Sequence, residues 1–331
     1  MINMANRIHN KISVALVGYG YIAKYWEKAI LDDGRMNIYG IYDKGIAESN
    51  LPDHKVYKSL ASLCEDNQIN TCIICTPTED HYTTAMELLS SGKNIVMEKP
   101  SVLNMTEYND LIRKAEENQA LIYNAFHFVY SPEIAWFRSS LSGLYERFGK
   151  IGSFYSYFSD PYYIGGKLKS NALSLLGSWV DSGSNILSML YSIFSHIWMD
   201  SLTFGDSYAG QFSDLFSTAS LKFEDSHNNT GFGNTVTNWV SNSSMKYTEF
   251  LFPDTNSQIR LNHSQIAVTL TEGSSNEILF SSTVENRLLA HYTGLVDDVY
   301  KSLSSGTGNK EYGKLVYDTM YGTVKEGGKN A

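Results

Sequence analysis

The chain has 331 residues, 43% of them apolar, and its 26 Lys and Arg against 35 Asp and Glu leave a formal net charge of −9. That length exceeds what a single core usually holds, so two domains are expected, and an acidic balance without a basic cluster argues against nucleic acid as a partner. No run approaches bilayer length and the first ten residues lack an apolar signal core, which points to a cytoplasmic protein with no membrane partner. Cys64, Cys72 and Cys75 are too few and too uneven for a disulfide framework. No further Cys or His pair completes a metal site around Cys72 and Cys75, so no metal is expected and both read as buried strand residues.

Ile12 to Leu16 is an apolar, partly β-branched run that suits a strand buried on both faces of a parallel sheet. Gly18, Gly20 and Ala23 follow as G-x-G-x-x-A, where glycines permit the tight turn and a small third residue lets helix and strand pack closely. A helix over Ile22 to Leu31 then presents unpaired N–H groups near Gly18, Gly20, Tyr21 and Ile22 to a pyrophosphate. The second strand, Met36 to Tyr42, ends at Asp43. A carboxylate about 20 residues past the glycines accepts hydrogen bonds from the adenosine ribose and repels a 2′-phosphate. This favours NAD over NADP, although Lys44 beside it offers a charge that would tolerate the phosphate.

Pro52 to Tyr57 reads as a short third strand, Ser59 as the cap of a helix to Asn67, and Thr71 to Cys75 as a core strand. Thr76-Pro77-Thr78-Glu79-Asp80-His81 reads as a loop at the carboxyl edge of the sheet, where open α/β sheets place ligands. Thr76, Pro77 and His81 are therefore candidate cofactor contacts. A helix over Tyr82 to Ser91 and a strand over Asn94 to Met97 lead to Glu98-Lys99-Pro100. The repeated strand and helix predict a doubly wound parallel sheet, an α/β Rossmann arrangement.

GYGYIAK, followed by CTPTEDHYTTAMELLSSGKNIVMEKP, resembles the glucose-fructose oxidoreductase, inositol dehydrogenase and MocA family of nicotinamide-dependent sugar oxidoreductases. Pro77, His81, Gly92, Lys93, Glu98, Lys99 and Pro100 fall on that family's order and spacing. The resemblance implies a dinucleotide-binding domain over residues 1–125 and a substrate-binding and oligomerisation domain over 126–331, the second an α/β domain with a large, mostly antiparallel open sheet. It also implies NAD(P)-dependent hydride transfer to or from a sugar carbon, Glu98 and Lys99 beside the nicotinamide, and a cis bond before Pro100. In that setting the Lys99 ammonium hydrogen-bonds a substrate hydroxyl and stabilises the alkoxide that precedes hydride loss.

Helical spacing continues over Thr106 to Asn118, and Leu121 to Asn124 reads as the last strand of the first sheet. The resemblance implies that the crossover into the second half borders the substrate pocket and makes His127 a sugar contact, with a core or interface histidine the equal alternative. A helix over Ile134 to Phe148, a strand over Gly149 to Phe158 and a Tyr- and Gly-bearing loop over Asp160 to Lys169 follow, with Tyr163 a candidate substrate contact. Gly177 to Asn185 opens an apolar helix that puts Asp181 and Asn185 on one face. Relatives carry D-x-G-x-H here. This chain has Asn185 in the His position, and an amide cannot act as acid or base near neutral pH. The D-x-G-x-N form resembles the aldose 1-dehydrogenase branch, which leaves the proton work to Lys99 and Asp181 and makes Asn185 a sugar binder. A keto-sugar or nucleotide-sugar reductase and a non-catalytic dinucleotide-binding regulator are the alternatives. Leu202 to Thr271 reads as successive antiparallel strands, a sheet whose open face in that family packs on a partner, which predicts a homodimer or homotetramer. Arg287 to Leu303 and Tyr312 to Val324 read as closing helices, bringing His291 and Tyr292 towards the pocket, and the tail from Glu326 is expected to be loose.

Overall fold

The structure, a computed structural model, describes residues 11–45, 54–205 and 214–322. Strands β1 (Ile12–Val17), β2 (Met36–Tyr42), β3 (Lys55–Tyr57), β4 (Thr71–Ile74), β5 (Asn94–Glu98) and β6 (Ile122–Ala125) form one six-stranded sheet in the order β3-β2-β1-β4-β5-β6. Every pairing in it is parallel. The order reverses between β1 and β4, and ligands of open α/β sheets bind outside the strand ends at such a switch point. Helices α1 (Tyr21–Asp33), α2 (Leu60–Cys64), α3 (Thr78–Ser90) and α4 (Met105–Glu117) connect the strands. With both faces covered, all four residues of β4 are buried, which explains its unbroken apolar run. Cys72 and Cys75 lie in and just after β4, and burial pushes both thiols up, as expected of strand residues enclosed by packing.

The second sheet has eight strands: β7 (Ser153–Ser159), β10 (His196–Phe204), β11 (Phe216–Glu224), β12 (Thr230–Asn238), β13 (Met245–Phe252), β14 (Ser257–Asn262), β15 (Ala267–Glu272) and β16 (Ser275–Ser281). A small ribbon of β8 (Tyr163–Ile164) and β9 (Lys167–Leu168) stands apart from it. The sheet order is β10-β11-β12-β7-β13-β14-β15-β16, so it extends beyond 202–271 at both ends and takes β7 into its middle. Only the β12–β7 pairing is parallel; the rest are antiparallel. Buried and accessible residues alternate along β11, β12 and β13, as they must where helices cover one face and the other is open. Helices α5 (Pro132–Phe148) and α6 (Ser184–Tyr191) lie on the covered face, and Phe137 of α5 stacks on Phe250 of β13.

Helices α7 (Arg287–Ser305) and α8 (Lys310–Tyr321) return to the first sheet. Tyr292, Leu295, Val296 and Val299 of α7 share one buried cluster with Ala23, Trp26 and Ile30 of α1. The Tyr317 hydroxyl of α8 accepts a 2.7 Å bond from the Ser101 N–H, just past β5. The last elements of the chain therefore hold the two sheets against each other.

One helix starts earlier than its sequence pattern predicts. The stretch read as a loop to His81 is helical from Thr78, with Pro77 as its cap residue and Glu79 and Asp80 in its first turn. Carboxylates there complement the positive end of the helix dipole, a start signal that outweighs the polar look of the segment. Ser59 caps α2 through the Ser62 N–H as expected, but the helix ends at Cys64 rather than Asn67. The predicted starts at Pro52 and the tail from Glu326 lie outside the described residues.

Candidate active site

The Gly-rich turn comes first. Gly18 has φ +85°, and a Cβ there would lie 2.8 Å from the Cys75 carbonyl carbon and the Thr76 nitrogen, so only glycine lets the β1 turn touch the end of β4. Gly20 faces open space instead: nothing lies within 4 Å of the position its Cβ would take. As the cap residue of α1 it offers no side chain, so the first N–H groups of that helix, those of Tyr21 and Ile22 among them, keep no side-chain partner. The Tyr21 ring itself points outward and pairs with the Tyr25 hydroxyl at 2.8 Å. Asp43 stands beside the turn, where its Oδ2 accepts a 2.8 Å bond from the Tyr19 N–H and its Oδ1 one of 2.8 Å from Gly45. Each oxygen keeps a further lone pair for a ribose hydroxyl. Lys44 is turned towards Asp80, 3.5 Å away. Thr76 Oγ1 is enclosed without a partner at the end of β4. The donor set and the room above Gly20 suit a dinucleotide.

His81 does not reach that space. It is buried, with Nδ1 3.0 Å from the Pro100 carbonyl and Nε2 2.8 Å from the Thr76 carbonyl. Burial lowers its pKa against the pull of those carbonyls. The neutral ring donates to one of these carbonyls and packs between both, beside the cis Lys99–Pro100 bond, so its nitrogens face the backbone of the Thr76–Pro77 and Pro100–Ser101 peptides. Glu98 is likewise enclosed: its Oε1 accepts from Trp26 Nε1 at 2.8 Å and from the Tyr292 hydroxyl at 2.7 Å, and its Oε2 from the Lys99 N–H at 3.2 Å. Burial raises its carboxyl pKa against these donors. Its contacts orient Lys99 rather than face a ligand.

Lys99 leaves the end of β5 and meets the second half of the chain. Its Nζ lies 2.8 Å from Asp181 Oδ1 and 3.1 Å from the Asp181 carbonyl, with the two side chains 13% and 12% exposed. Asp181 sits in a single π-helical turn, Trp179–Gly183, that runs into α6. Such wide turns are found chiefly at functional sites. Gly183 is held against the indole of Trp179, since a Cβ there would come within 2.8 Å of the ring. Asn185 follows on α6; its Nδ2 lies 3.5 Å from the Asp181 carbonyl, and its Oδ1 is buried with no partner. An enclosed acceptor left open beside the pair suits a ligand hydroxyl.

Asp214 was not singled out from the sequence. Fully buried, it accepts from the Trp179 N–H at 3.1 and 3.3 Å and from the Ser178 hydroxyl, which also meets Thr237 of β12 at 2.6 Å. It therefore anchors the turn that carries Asp181. Nothing in the local pattern signals this, because the two segments meet only in the fold. Tyr163 packs with Tyr162 against the small cluster of Ala172, Leu215 and Trp239. Burial first, then the Asp181 and Asp160 charges, push the pKa of the Tyr162 phenol up. His127 is buried, with Nδ1 3.2 Å from Nδ1 of His291, and stacks on Tyr292 at a centroid distance of 5.4 Å. A cleft of about 220 Å³ opens between Pro77 and Glu79 on one side and Leu173, Ser174 and Leu176 on the other.

Comparison with known proteins agrees with the fold. Residues 12–126 match the oxidoreductase family with NAD-binding Rossmann fold known as GFO_IDH_MocA. The chain is 23% identical over 192 residues to the uncharacterized oxidoreductase YgjR of Escherichia coli, covering 55% of this chain and 58% of that protein. It is 31% identical over 114 residues to the scyllo-inositol 2-dehydrogenase (NADP(+)) IolW of Bacillus subtilis, covering 34% and 32%. The matches thus span from about a third to somewhat over half of these relatives' length. Among solved structures, UDP-N-acetylglucosamine 3-dehydrogenase GnnA from Acidithiobacillus ferrooxidans superposes with a TM-score of 0.75 at 15% identity, over 96% of this chain and 98% of that one. GenD2 from gentamicin A biosynthesis, in complex with NAD, gives 0.75 at 16% identity over 96% and 94%. At such identities these two show the fold. Residues 12–126 thus match the NAD-binding Rossmann domain of the GFO/IDH/MocA oxidoreductases, the fold that the six-stranded parallel sheet shows.

Proposed function

We propose that this chain is a dehydrogenase that oxidises a hydroxyl-bearing carbon of a sugar or sugar derivative, with Lys99 and Asp181 carrying the proton. The observation behind this reading is the 2.8 Å contact between a lysine from the edge of the first sheet and a carboxylate from a turn of the second half. Bound NAD supplies the hydride acceptor at nicotinamide C4. In this reading the Lys99 ammonium donates to the substrate oxygen, the Asp181 carboxylate takes the hydroxyl proton, and the carbon becomes a carbonyl as the hydride departs. The partnerless Asn185 Oδ1 accepts a neighbouring sugar hydroxyl. An anomeric hydroxyl, more acidic than an ordinary alcohol, fits a site whose histidine position holds an amide, so C1 of an aldose is the preferred carbon. Asp43 favours NAD, whereas the relative IolW is named for NADP.

A second copy of the chain is the proposed partner of the open sheet face. Phe232 of β12 and Leu251 of β13 both register on Ser153 of β7, which puts two exposed apolar side chains on one face, either side of that serine. Sedimentation or light scattering tests this, with a dimer or tetramer expected and a monomer contradicting it.

The activity is tested by following nicotinamide absorbance with NAD and NADP against free aldoses, inositols and UDP-sugars. Turnover of an aldose with NAD is expected. Turnover confined to UDP-sugars, as the name of GnnA would suggest, moves the substrate to a nucleotide sugar. Tight NAD binding with no turnover on any member would overturn the enzyme reading in favour of a sensor.

A further inference from the structure

We propose that His127 is a substrate-binding residue locked by His291 into the tautomer that carries its proton on Nε2, so that the site selects an oxygen acceptor at that position. The inference deepens the proposed function and rests on the reading of the Lys99–Asp181 pair as the substrate site.

The two Nδ1 atoms lie 3.2 Å apart, and a hydrogen bond between them holds one proton. The ring that donates it has a bare Nε2; the ring that accepts it bears its own proton on Nε2. One arrangement gives His291 the Nε2–H, the other gives it to His127. Their surroundings differ. His291 Nε2 is enclosed with no partner, and a buried N–H with nothing to bond is rarer than an unfilled acceptor. His291 therefore holds its proton on Nδ1 and donates it to His127, which leaves His127 with Nε2–H.

The charges around the pair keep both rings neutral. Burial lowers the pKa of His127, and His291, Lys99, Lys246 and Arg287 act in the same direction. Burial likewise takes His291 down to about 3; Glu133 opposes this, and Arg287, His263 and Lys246 reinforce it. Neither ring is then a proton acceptor at neutral pH. The pair does not replace the histidine missing at position 185; it supplies a fixed donor.

His127 is also in the right place. It opens a short 3-10 turn, His127–Tyr130, directly after β6, and this turn packs against α6, the helix of Asn185. Its ring stacks on Tyr292, whose hydroxyl donates to Glu98, the residue before Lys99. His127 Nε2 has no protein partner and, unlike Nε2 of His291, is not fully enclosed. In this reading the site offers two donors, Lys99 and His127, and two acceptors, Asp181 and Asn185 Oδ1. That polarity suits a polyhydroxylated ring with an oxygen acceptor, a hydroxyl or the ring oxygen, near the reacting carbon.

The direct test is nitrogen NMR of the uniformly labelled full chain, with and without NAD. The pyrrole-type nitrogen is expected at Nε2 in His127 and at Nδ1 in His291, with no change across neutral pH. The reverse assignment overturns the proposal whether or not the protein turns over any sugar, so its failure is distinct from failure of the enzyme reading. With the sugar that shows turnover, His127→Leu is expected to raise KM about tenfold, the loss of one good hydrogen bond. His127→Gln, whose amide N–H reaches a similar point, should recover most of it. An analogue lacking one hydroxyl should lose affinity for the wild type but not for His127→Leu. Unchanged KM in His127→Leu for every member of the panel would overturn the proposal.

Discussion

Two acid–base contacts of this chain have the same length and opposite surroundings. Lys99 Nζ and Asp181 Oδ1 lie 2.8 Å apart, and so do His263 Nδ1 and Glu133 Oε1. The first joins the edge of one sheet to a turn beyond the other and keeps part of both side chains accessible. The second is sealed, both side chains at 0% exposure, and its remaining bonds go to the Ser131 and Thr248 hydroxyls. A sealed pair cannot meet a ligand, so its role is to hold α5 against the second sheet. An accessible pair at a sheet edge can do chemistry. Access, rather than the presence of opposite charges, separates a candidate site from a structural clamp.

Substitutions sharpen that contrast. Lys99→Ala is expected to reduce kcat by about 10²–10⁴, the usual weight of a proton-handling group, with the thermal midpoint nearly unchanged. Steady-state kinetics beside a melting curve checks both halves. Glu133→Ala should do the reverse, costing about 3–5 kcal/mol of stability by stranding one member of a buried pair, with a far smaller effect on kcat than Lys99→Ala. Denaturant titration reads that loss.

The sealed pair also predicts a pH dependence. Burial pushes the Glu133 carboxyl up, but the His263 bond and charge and the Ser131 hydroxyl outweigh it, and its pKa is lowered. A carboxyl lowered on folding contributes stability that is present above its unfolded pKa, about 4.3, and is lost as pH falls through the folded value. Wild type should therefore lose more stability than Glu133→Gln between pH 5 and acid unfolding, and parallel curves would contradict it. The smallest expected effect is at the cofactor end. Asp43→Ser should improve use of NADP relative to NAD about tenfold, read as the ratio of kcat/KM values, and an unchanged ratio would remove Asp43 from the ribose.

The residues readable from the sequence are those whose constraint is local. Gly18 and Gly20 are dictated by a turn between adjacent elements, Asp43 by its place at the end of the next strand, and Lys99 by the residues on either side of it. The spacing of Asp181 and Asn185 on one face was readable, but the π-helical turn that carries Asp181 was not, because that turn depends on Asp214, just before β11, and on Thr237 of β12. His81 shows the limit from the other side: its spacing marked it, yet both ring nitrogens face backbone carbonyls, at 3.0 and 2.8 Å. The His127–His291 bond joins residues 164 apart in the chain, and no periodicity carries that information.

A crystal structure of the protein with NAD and a sugar that turns over tests the central claim most directly. The account predicts a sugar oxygen bonded to both Lys99 Nζ and the Asp181 carboxylate, its carbon about 3–3.5 Å from nicotinamide C4. A sugar seated elsewhere, with the Lys99–Asp181 pair closed and remote from C4, would contradict it.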